Sequence, residues 1–434
     1  MLRRLDLRGP LGDLGAVLPR PSTADDGPLD VVRAIIADVR ERGDTALREL
    51  TARYDGVDLE SVVVDPEDVA SAPSRIDPVV LEALEVAATA IRRHHEGQRR
   101  AEHRTEEDGL CVRSISRPVQ RAGCYAPGGR AAYPSTVLMT AVPARVAGVA
   151  EVFLCVPPGP DGRVADVTLA AAAVAGVDAV YAVGGAQAVA AMAYGTASIP
   201  AVDVIAGPGN VYVALAKREV AGHVGVPSAF AGPSEVVVVA DSTVPPAFAA
   251  IDVVVQAEHG PGGLAWLITW DEAVSEAIEA EVDRIVAAAP RRDEITATLG
   301  DAGWSVLVDG PDEALAVADA IAPEHLQLMV ADAGGLSERV RNAGAVFCGP
   351  WSPASLGDYV AGPSHVLPTA GTARFAGALT VADFTRDIHL ITADRSALLR
   401  LAPHVVALAG AEGLDAHAES VRLRVDEADG PGNG

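Results

Sequence analysis

The chain has 434 residues, of which 49% are hydrophobic and 21% charged, shares that exclude a wholly disordered or fibrous protein. Its 59 acidic residues outnumber its 34 basic residues and give a net charge of −25, which argues against nucleic acid or an anionic membrane as the main partner. At roughly 150 residues per domain, the length predicts two or three domains.

Several features favour a reducing, cytoplasmic location. No C-x-x-C pair occurs, so neither a disulfide framework nor a cysteine zinc cluster is expected from the four cysteines, which are Cys111, Cys124, Cys155 and Cys348. Residues 1–10 are charged and lack the apolar core of a signal peptide. The apolar runs 134–156 and 165–193 are interrupted by charged residues and glycines, which favours buried segments over membrane spans.

The first hundred residues predict an arm and two helices. Residues 1–20 are short and mixed in character, and we expect an N-terminal arm there. Residues 28–53 and 76–102 carry apolar residues at helical spacing.

From about residue 112, β-rich segments alternate with Ala-rich helices, which is typical of parallel sheets covered by helices. The first series has predicted strands at 151–156, 178–183 and 202–206, and helices at 164–176, 186–194 and 209–221. The second series has predicted strands at 235–240, 264–269 and 305–308, and helices at 245–258, 271–289 and 312–321. Two such series predict two sheet domains, followed by helices at 394–401 and 411–424.

Two glycine turns follow predicted strands, although the G-x-G-x-x-G fingerprint of dinucleotide-binding folds is absent. They are residues 184–187 (GGAQ) and 207–210 (GPGN). Each begins a helix, whose free N–H groups can bind a phosphate or carboxylate. Each can equally be a plain tight turn, but the pair favours a ligand crevice. Tyr125, before a Pro-Gly-Gly turn, is interpreted either as a pocket wall or as part of a rigid corner.

Polar residues in two short segments are candidates for chemistry. Gln256 and His259 share one face of a predicted helix and could hold a metal, or His259 could simply lie beside a glycine cap. Glu324 and His325 follow Pro323 and could be two proton-transfer groups with different roles. The alternative for that pair is the start of a surface helix, with the acid in its first turn.

Taken together, these segments resemble the histidinol dehydrogenases over about residues 7–425. Each string is weak alone, but their order along the chain is specific. The strings are 125–129 (YAPGG), 184–188 (GGAQA), 207–210 (GPGN), 231–235 (AGPSE), 256–260 (QAEHG), 323–326 (PEHL), 357–359 (GDY) and 365–369 (HVLPT).

The resemblance implies a fold and an activity. The family oxidises L-histidinol to L-histidine through histidinaldehyde, with two NAD and one zinc ion per site, as the last stage of histidine biosynthesis. The implied fold is α/β, with two Rossmann-like domains of aldehyde-dehydrogenase type in a homodimer whose C-terminal segment reaches the partner's active site. The domains expected on this basis are an arm at 1–20, a first domain at 21–126 plus 234–380, a second at 127–233 carrying the NAD turns, and a helical segment at 381–434.

The resemblance also assigns roles to residues. The implied zinc ligands are Gln256, His259, Asp358 and His417. His325 is the implied general base, and Glu324 is expected to activate the water that adds to the aldehyde. The implied substrate contacts are Ser234, Gln256, His259, His325, Asp358, Glu412 and His417. Tyr125, Gln187 and Asn210 are expected to line the NAD site.

Two departures and two alternatives accompany this reading. Ser228 and Ser364 stand where the family commonly has Asp and Asn, which puts the fine shape of the pocket in doubt rather than the reaction.

A related zinc- and NAD-dependent dehydrogenase for another small amino or sulfonate alcohol is the main alternative, although Glu412 and His417 favour histidinol. A non-catalytic sugar- or nucleotide-binding protein would be expected to lack Glu324 or His325.

Overall fold

The computed structural model describes residues 1–19, 27–128, 132–227, 234–258 and 263–429. The chain divides into two compact units, one formed by Met1–Gln98 with Val119–Phe384 and the other by Arg99–Pro118 with Thr385–Gly434. No helix within the described ranges is both long and apolar enough to span a membrane.

The strands of the described residues are β1 (Arg3–Asp6), β2 (His103–Glu107), β3 (Leu110–Pro118), β4 (Arg121–Tyr125), β5 (Glu151–Val156), β6 (Ala179–Ala182), β7 (Val204–Ala206), β8 (Glu235–Ala240), β9 (Leu264–Thr269), β10 (Gly303–Leu307), β11 (His325–Met329), β12 (Ala345–Cys348) and β13 (Thr385–Ala393). The helices are α1 (Leu14–Val17), α2 (Leu29–Arg42), α3 (Asp44–Asp55), α4 (Pro66–Ser71), α5 (Pro78–Glu96), α6 (Pro134–Ala147), α7 (Asp166–Ala175), α8 (Gly185–Tyr194), α9 (Val211–Val220), α10 (Pro246–Ala257), α11 (Glu272–Ala288), α12 (Arg292–Ala302), α13 (Pro311–Ile321), α14 (Ala333–Ser337), α15 (Ala354–Tyr359), α16 (Arg395–Ala411) and α17 (Asp415–Asp429).

The first unit contains a six-stranded parallel sheet in the order β1-β10-β9-β8-β11-β12. Its central strands are apolar on both faces, as buried parallel strands are. On β8, Val236 and Val238 belong to the core cluster that also includes α10 and α11, whereas Val237 and Val239 belong to the cluster that includes α13. The strand order reverses between β8 and β11, because β9 and β10 extend to one side of β8 and β11 lies on the other.

The same unit contains a four-stranded parallel sheet in the order β6-β5-β4-β7, whose order reverses between β4 and β7. Residues of α5, α6 and α7 form a core cluster with one face of this sheet. Residues of α2, α3, α8 and α9 form the cluster on the other face. Both sheets are therefore three-layered Rossmann-like units.

The second unit consists of an antiparallel sheet in the order β13-β3-β2, together with the helices α16 and α17. Its long strands pair over nine residues, from Thr385 opposite Pro118 to Ala393 opposite Leu110. Helices α16 and α17 pack against each other.

The expected fold class is confirmed, because two parallel sheets with covering helices and a helical C-terminal segment are present. Three predicted strands, 151–156, 235–240 and 264–269, have the observed bounds. The helix predicted at 28–53 is two helices, which meet at Gly43 with a φ of +54°. The expected arm contributes β1, which pairs with β10.

The packing of the N-terminal helices differs from the predicted domain division. The first domain was expected to include residues 21–126, but α2, α3 and α5 pack on the four-stranded sheet of residues 121–206. Helical spacing of apolar residues shows that a helix has a buried face, but does not show which sheet that face covers.

Candidate active site

The first candidate site lies at the amino ends of β8 and β11, where the order of the six-stranded sheet reverses. His325 pairs in register with Val236, so Glu324 lies level with Glu235 on the neighbouring strand. The backbone N–H of Glu235 donates a hydrogen bond of 3.1 Å to Glu324 Oε2. Glu324 and His325 are therefore buried at the start of a central strand, not exposed at the start of a surface helix.

Glu324 is held in place by the segment that begins β8. Its carboxylate is bound by the backbone of Glu235 and by the side chain of Ser234. Burial raises the pKa of Glu324, and the nearby His325 opposes this shift only in part. A carboxyl group with a raised pKa can exchange a proton with bound water closer to neutral pH than an exposed one.

His325 lies between two carboxylates. Its Nε2 is 3.3 Å from Asp358 Oδ1 and its Nδ1 is 3.8 Å from Glu324 Oε2. Burial lowers the pKa of His325, but the hydrogen bond with Asp358 and the charge of Glu324 outweigh burial, and the net shift is upward. The ring of Phe347 stacks on the imidazole at a centroid distance of 5.9 Å, which fixes the plane of the ring.

A third buried carboxyl group, Glu235, was not anticipated from the sequence. Its side chain is 2% exposed and lines a small cavity with Trp266 and Arg374. Burial and the neighbouring Glu324 raise the pKa of Glu235 to about 8, although the backbone N–H groups of Gly371 and Ala370 donate to it. Only strand register, which the sequence does not display, would have identified this residue.

Asp358 and Gln256 come from α15 and α10. His365 holds α15 in place, because its Nδ1 is 2.9 Å from the backbone oxygen of Asp358 and its Nε2 is 3.2 Å from Thr136 Oγ1 on α6. Gln256 is buried, and its Nε2 has no hydrogen-bond partner within the described part of the chain. The predicted ligand His259 lies outside the described residues.

The remaining predicted residues of this site belong to the second unit. Glu412 follows α16 and His417 lies on α17, and both side chains are exposed. Among the residues that the structure describes, no three His, Cys, Asp or Glu side chains cluster closely enough to hold a metal ion.

The second candidate site lies at the carboxyl ends of β4 and β7, where the order of the four-stranded sheet reverses. Ligands of doubly wound folds bind at this position. The hydroxyl of Tyr125, at the end of β4, accepts a hydrogen bond of 3.1 Å from the backbone N–H of Gly185. Gln187 is buried and folds back over Gly185. Tyr125 therefore links the 184–187 turn to β4.

The 207–210 turn lies against the same strand. A Cβ on Gly207 would clash with the backbone carbonyl oxygen of Tyr125, and the φ of Gly207 is +121°. Asn210 caps α9, because its Oδ1 accepts hydrogen bonds of 3.1 Å from the N–H groups of Tyr212 and Val213. The three residues predicted for the NAD site are thus found on neighbouring parts of one sheet edge.

A cavity of about 470 Å³ opens beside this edge, a volume within the range of small-molecule sites. It is lined by the end of β5 at Val156, by Gly128, and by the start of α7 at Asp166. Arg163 contributes a positive charge to its wall.

Comparisons with known proteins agree on one family. The sequence model of the family described as histidinol dehydrogenase matches residues 18–425. The chain is 48% identical to the histidinol dehydrogenase of Moorella thermoacetica over 404 residues, covering 92% of this chain and 95% of the relative. It is 45% identical to that of Gluconobacter oxydans over 431 residues, covering 98% and 100%.

A solved structure agrees with the sequence comparisons. The crystal structure of histidinol dehydrogenase from Elizabethkingia anophelis superposes with a TM-score of 0.94 at 31% identity and covers 99% of each chain. The resemblance inferred from the sequence is thereby confirmed.

Gly207→Ala should destabilise the chain by about 3 kcal/mol or more. The new Cβ would clash with the carbonyl oxygen of Tyr125, and the alanine would have to adopt the positive φ of this position. Gly222→Ala is the matched control: its φ is +93°, but no described atom lies within 4 Å of the new Cβ. The control should lose only about 1 kcal/mol. Urea unfolding measures both values, and equal losses would contradict the close approach.

Glu235→Gln should make the stability of the protein less dependent on pH. The pKa of Glu235 is about 8 in the folded chain against an ordinary value of 4.5, so its contribution to stability is complete below 4.5 and is lost as the pH rises through 8. The variant should therefore gain stability relative to the parent between pH 5 and pH 8.5, by up to about 5 kcal/mol.

Unfolding free energies at pH 5, 6.5 and 8.5 test this expectation. Glu82→Gln, at an exposed position of α5, serves as the control and should follow the parent at each pH. A constant difference between Glu235→Gln and the parent would contradict the raised pKa.

Proposed function

Because the chain belongs to the histidinol dehydrogenase family, we propose that it oxidises L-histidinol to L-histidine through histidinaldehyde, with NAD as the oxidant, as the last stage of histidine biosynthesis. The observation that supports this most directly is that buried Glu324 and His325, at the amino ends of β8 and β11, lie together with the partly exposed Asp358 of α15. It combines an acid, an imidazole and a carboxylate, the side-chain types that two successive alcohol and aldehyde oxidations require.

His325 is the proposed general base of both oxidations. When the alcohol loses a hydride from carbon, the hydroxyl proton must leave for a base at the same time, and the imidazole is placed to take it. Its stacking on Phe347 and its contact with Asp358 hold the ring in one orientation, so the base loses little entropy on reaction.

Glu324 is the proposed activator of water between the two oxidations. Water adds to the aldehyde carbon as the carboxylate takes one of its protons. The protonated His325 returns the proton of the first oxidation to the former carbonyl oxygen, which gives the hydrated aldehyde. That hydrate loses the second hydride and becomes the acid. The bonds from Ser234 and from the backbone of Glu235 keep the carboxylate in position beside His325.

Zinc is proposed to be held by Gln256, His259, Asp358 and His417. The residues fit such a site in chemistry, because imidazole nitrogens and amide and carboxylate oxygens are ligands that zinc accepts. Gln256 is buried on α10, and its amide oxygen would be the ligand atom. When bound, zinc supplies a charge that holds the amine and imidazole of histidinol, and NAD supplies the acceptor for each hydride.

The NAD site is proposed at Tyr125, Gln187 and Asn210. Its support is the position of these residues at the reversal point of the four-stranded sheet, where dinucleotides bind in related α/β architectures. The cavity beside this edge offers room for part of the cofactor.

A cytoplasmic homodimer is also proposed. Glu412 and His417 lie in the second unit with exposed side chains, which leaves them available to complete the substrate and metal site of a partner subunit.

Purified protein should form two NADH for each histidine made from L-histidinol. A chelator should abolish the reaction and added zinc should restore it, because the metal is needed to hold the substrate. NADH absorbance and histidine quantification give the ratio. No NADH in the presence of zinc would overturn the proposal, and activity on another amino or sulfonate alcohol would redirect it to a relative of different specificity.

Two histidine variants should separate the base from the metal ligand. His325→Asn should retain zinc but lose turnover by about 10²- to 10⁴-fold, because it removes the proton acceptor. His417→Asn should lose zinc after dialysis, because it removes a ligand. Metal content by emission spectroscopy and turnover under saturating substrate measure both effects; full activity in His325→Asn would exclude it as the base.

A further inference from the structure

Lys217 is a buried cation on the face of α9 that packs against the four-stranded sheet. Its side chain is 2% exposed, and the residues around it on the helix are buried Val213, Leu215, Ala216 and Val220. The ammonium donates a hydrogen bond of 2.9 Å to the backbone oxygen of Gly207. No role proposed above uses this side chain.

Burial of a charged lysine opposes folding. Removing the ammonium from water lowers the pKa of Lys217 to about 8. An apolar side chain of similar length would fill the same volume without that loss of hydration, and apolar replacements of buried charges are often neutral or stabilising. A requirement for packing alone therefore does not account for a lysine at this position.

One contact of the ammonium, with the backbone oxygen of Gly207, points to its role. Gly207 is the first residue after β7, and it begins the 207–210 turn. The turn is held at three points: by the ammonium at the Gly207 carbonyl, by the close approach to Tyr125, and by the Asn210 cap of α9. Since Pro208 has no N–H, the first donor that the turn can offer to a ligand after Gly207 is that of Gly209.

We propose that Lys217 is a positioning residue for the dinucleotide, which fixes the 207–210 turn from inside the core and supplies a positive charge at the place where the diphosphate of NAD binds. This inference rests on the proposed NAD site. The positive end of α9 acts in the same direction as the ammonium, because an anion is favoured at a helix N-terminus. The histidinol-binding residues are not part of this contact.

Lys217→Met tests the proposal, because it removes the charge and the donor while preserving length and apolar volume. The dissociation constant of NADH, measured by fluorescence, and the KM for NAD should each rise about tenfold or more, as expected for loss of a charged hydrogen bond at a binding turn. The KM for histidinol should stay within about twofold of the parent. The melting temperature should change little, because the lost hydrogen bond to Gly207 is offset by the removal of a buried charge.

The control is Arg218→Met, which removes a cation from the next, exposed position of the same helix. It should leave both KM values and NADH binding unchanged. Lys217→Arg retains the charge and a donor and should restore much of the NADH affinity. An unchanged NADH dissociation constant in Lys217→Met would overturn the proposal, as would a parallel loss of melting temperature and of affinity for both substrates.

The two proposals fail in different ways. A parent protein that makes no NADH from histidinol would contradict the proposed function. An active parent whose Lys217→Met variant binds NADH as tightly would contradict only the role of Lys217. Should Lys217→Met not fold, Lys217→Gln, which keeps a donor without the charge, replaces it in the same NADH titration and must weaken NADH binding relative to Lys217→Arg.

Discussion

The parallel register between β8 and β11 is the constraint on which the first site depends. It places Glu324 level with Glu235. The backbone N–H of Glu235, the first residue of β8, therefore donates a hydrogen bond to the carboxylate of Glu324, which directly precedes β11. His325 follows immediately and enters the sheet, where its ring is stacked on Phe347 from the next strand. A slip of one residue in the pairing of β11 would move each of Glu324 and His325 to the other face of the sheet. The contact of His325 with Asp358 would then be lost. The site is therefore as rigid as the centre of the sheet.

The two sheets use opposite edges. Both reverse their strand order at one point, β8 with β11 and β4 with β7, but chemistry-bearing residues lie at the amino ends in the first case and at the carboxyl ends in the second. The difference has a physical reason. Carboxyl ends lead into helix N-termini, whose N–H groups suit an anionic cofactor. At the amino ends of β8 and β11, the groups that lie together are acid and imidazole side chains, and these are proposed to carry the chemistry there.

The strands whose bounds the sequence predicted are buried along almost their whole length. Strands such as β5 and β8 are apolar on both faces, and their bounds follow from composition alone. β11 was missed because it begins with His325, directly after Glu324, and the polarity of this pair is typical of a surface helix start. β13 was missed because its residues are mostly exposed and its partner lies about 275 positions away. Glu235 could not be identified as a site residue, since the reason for its importance is a neighbour on another strand.

Two buried titratable side chains of the first unit, Glu235 and Lys217, each bind the backbone of a loop. Glu235 accepts hydrogen bonds from the N–H groups of Ala370 and Gly371, and Lys217 donates to the carbonyl of Gly207. Glu235 lies on a strand and Lys217 on a helix, and each side chain binds the backbone of a loop close to the point where the strand order of its sheet reverses. Loop backbones have many conformations and few internal hydrogen bonds, so a partner in the core selects one of them. Burial of the ionised form of either side chain opposes folding through the loss of hydration, and each side chain holds a loop beside a proposed site. Glu235 and Lys217 therefore help to determine the shape of these loops. Their neighbours in the sequence are apolar strand and helix residues, which give no indication of that role.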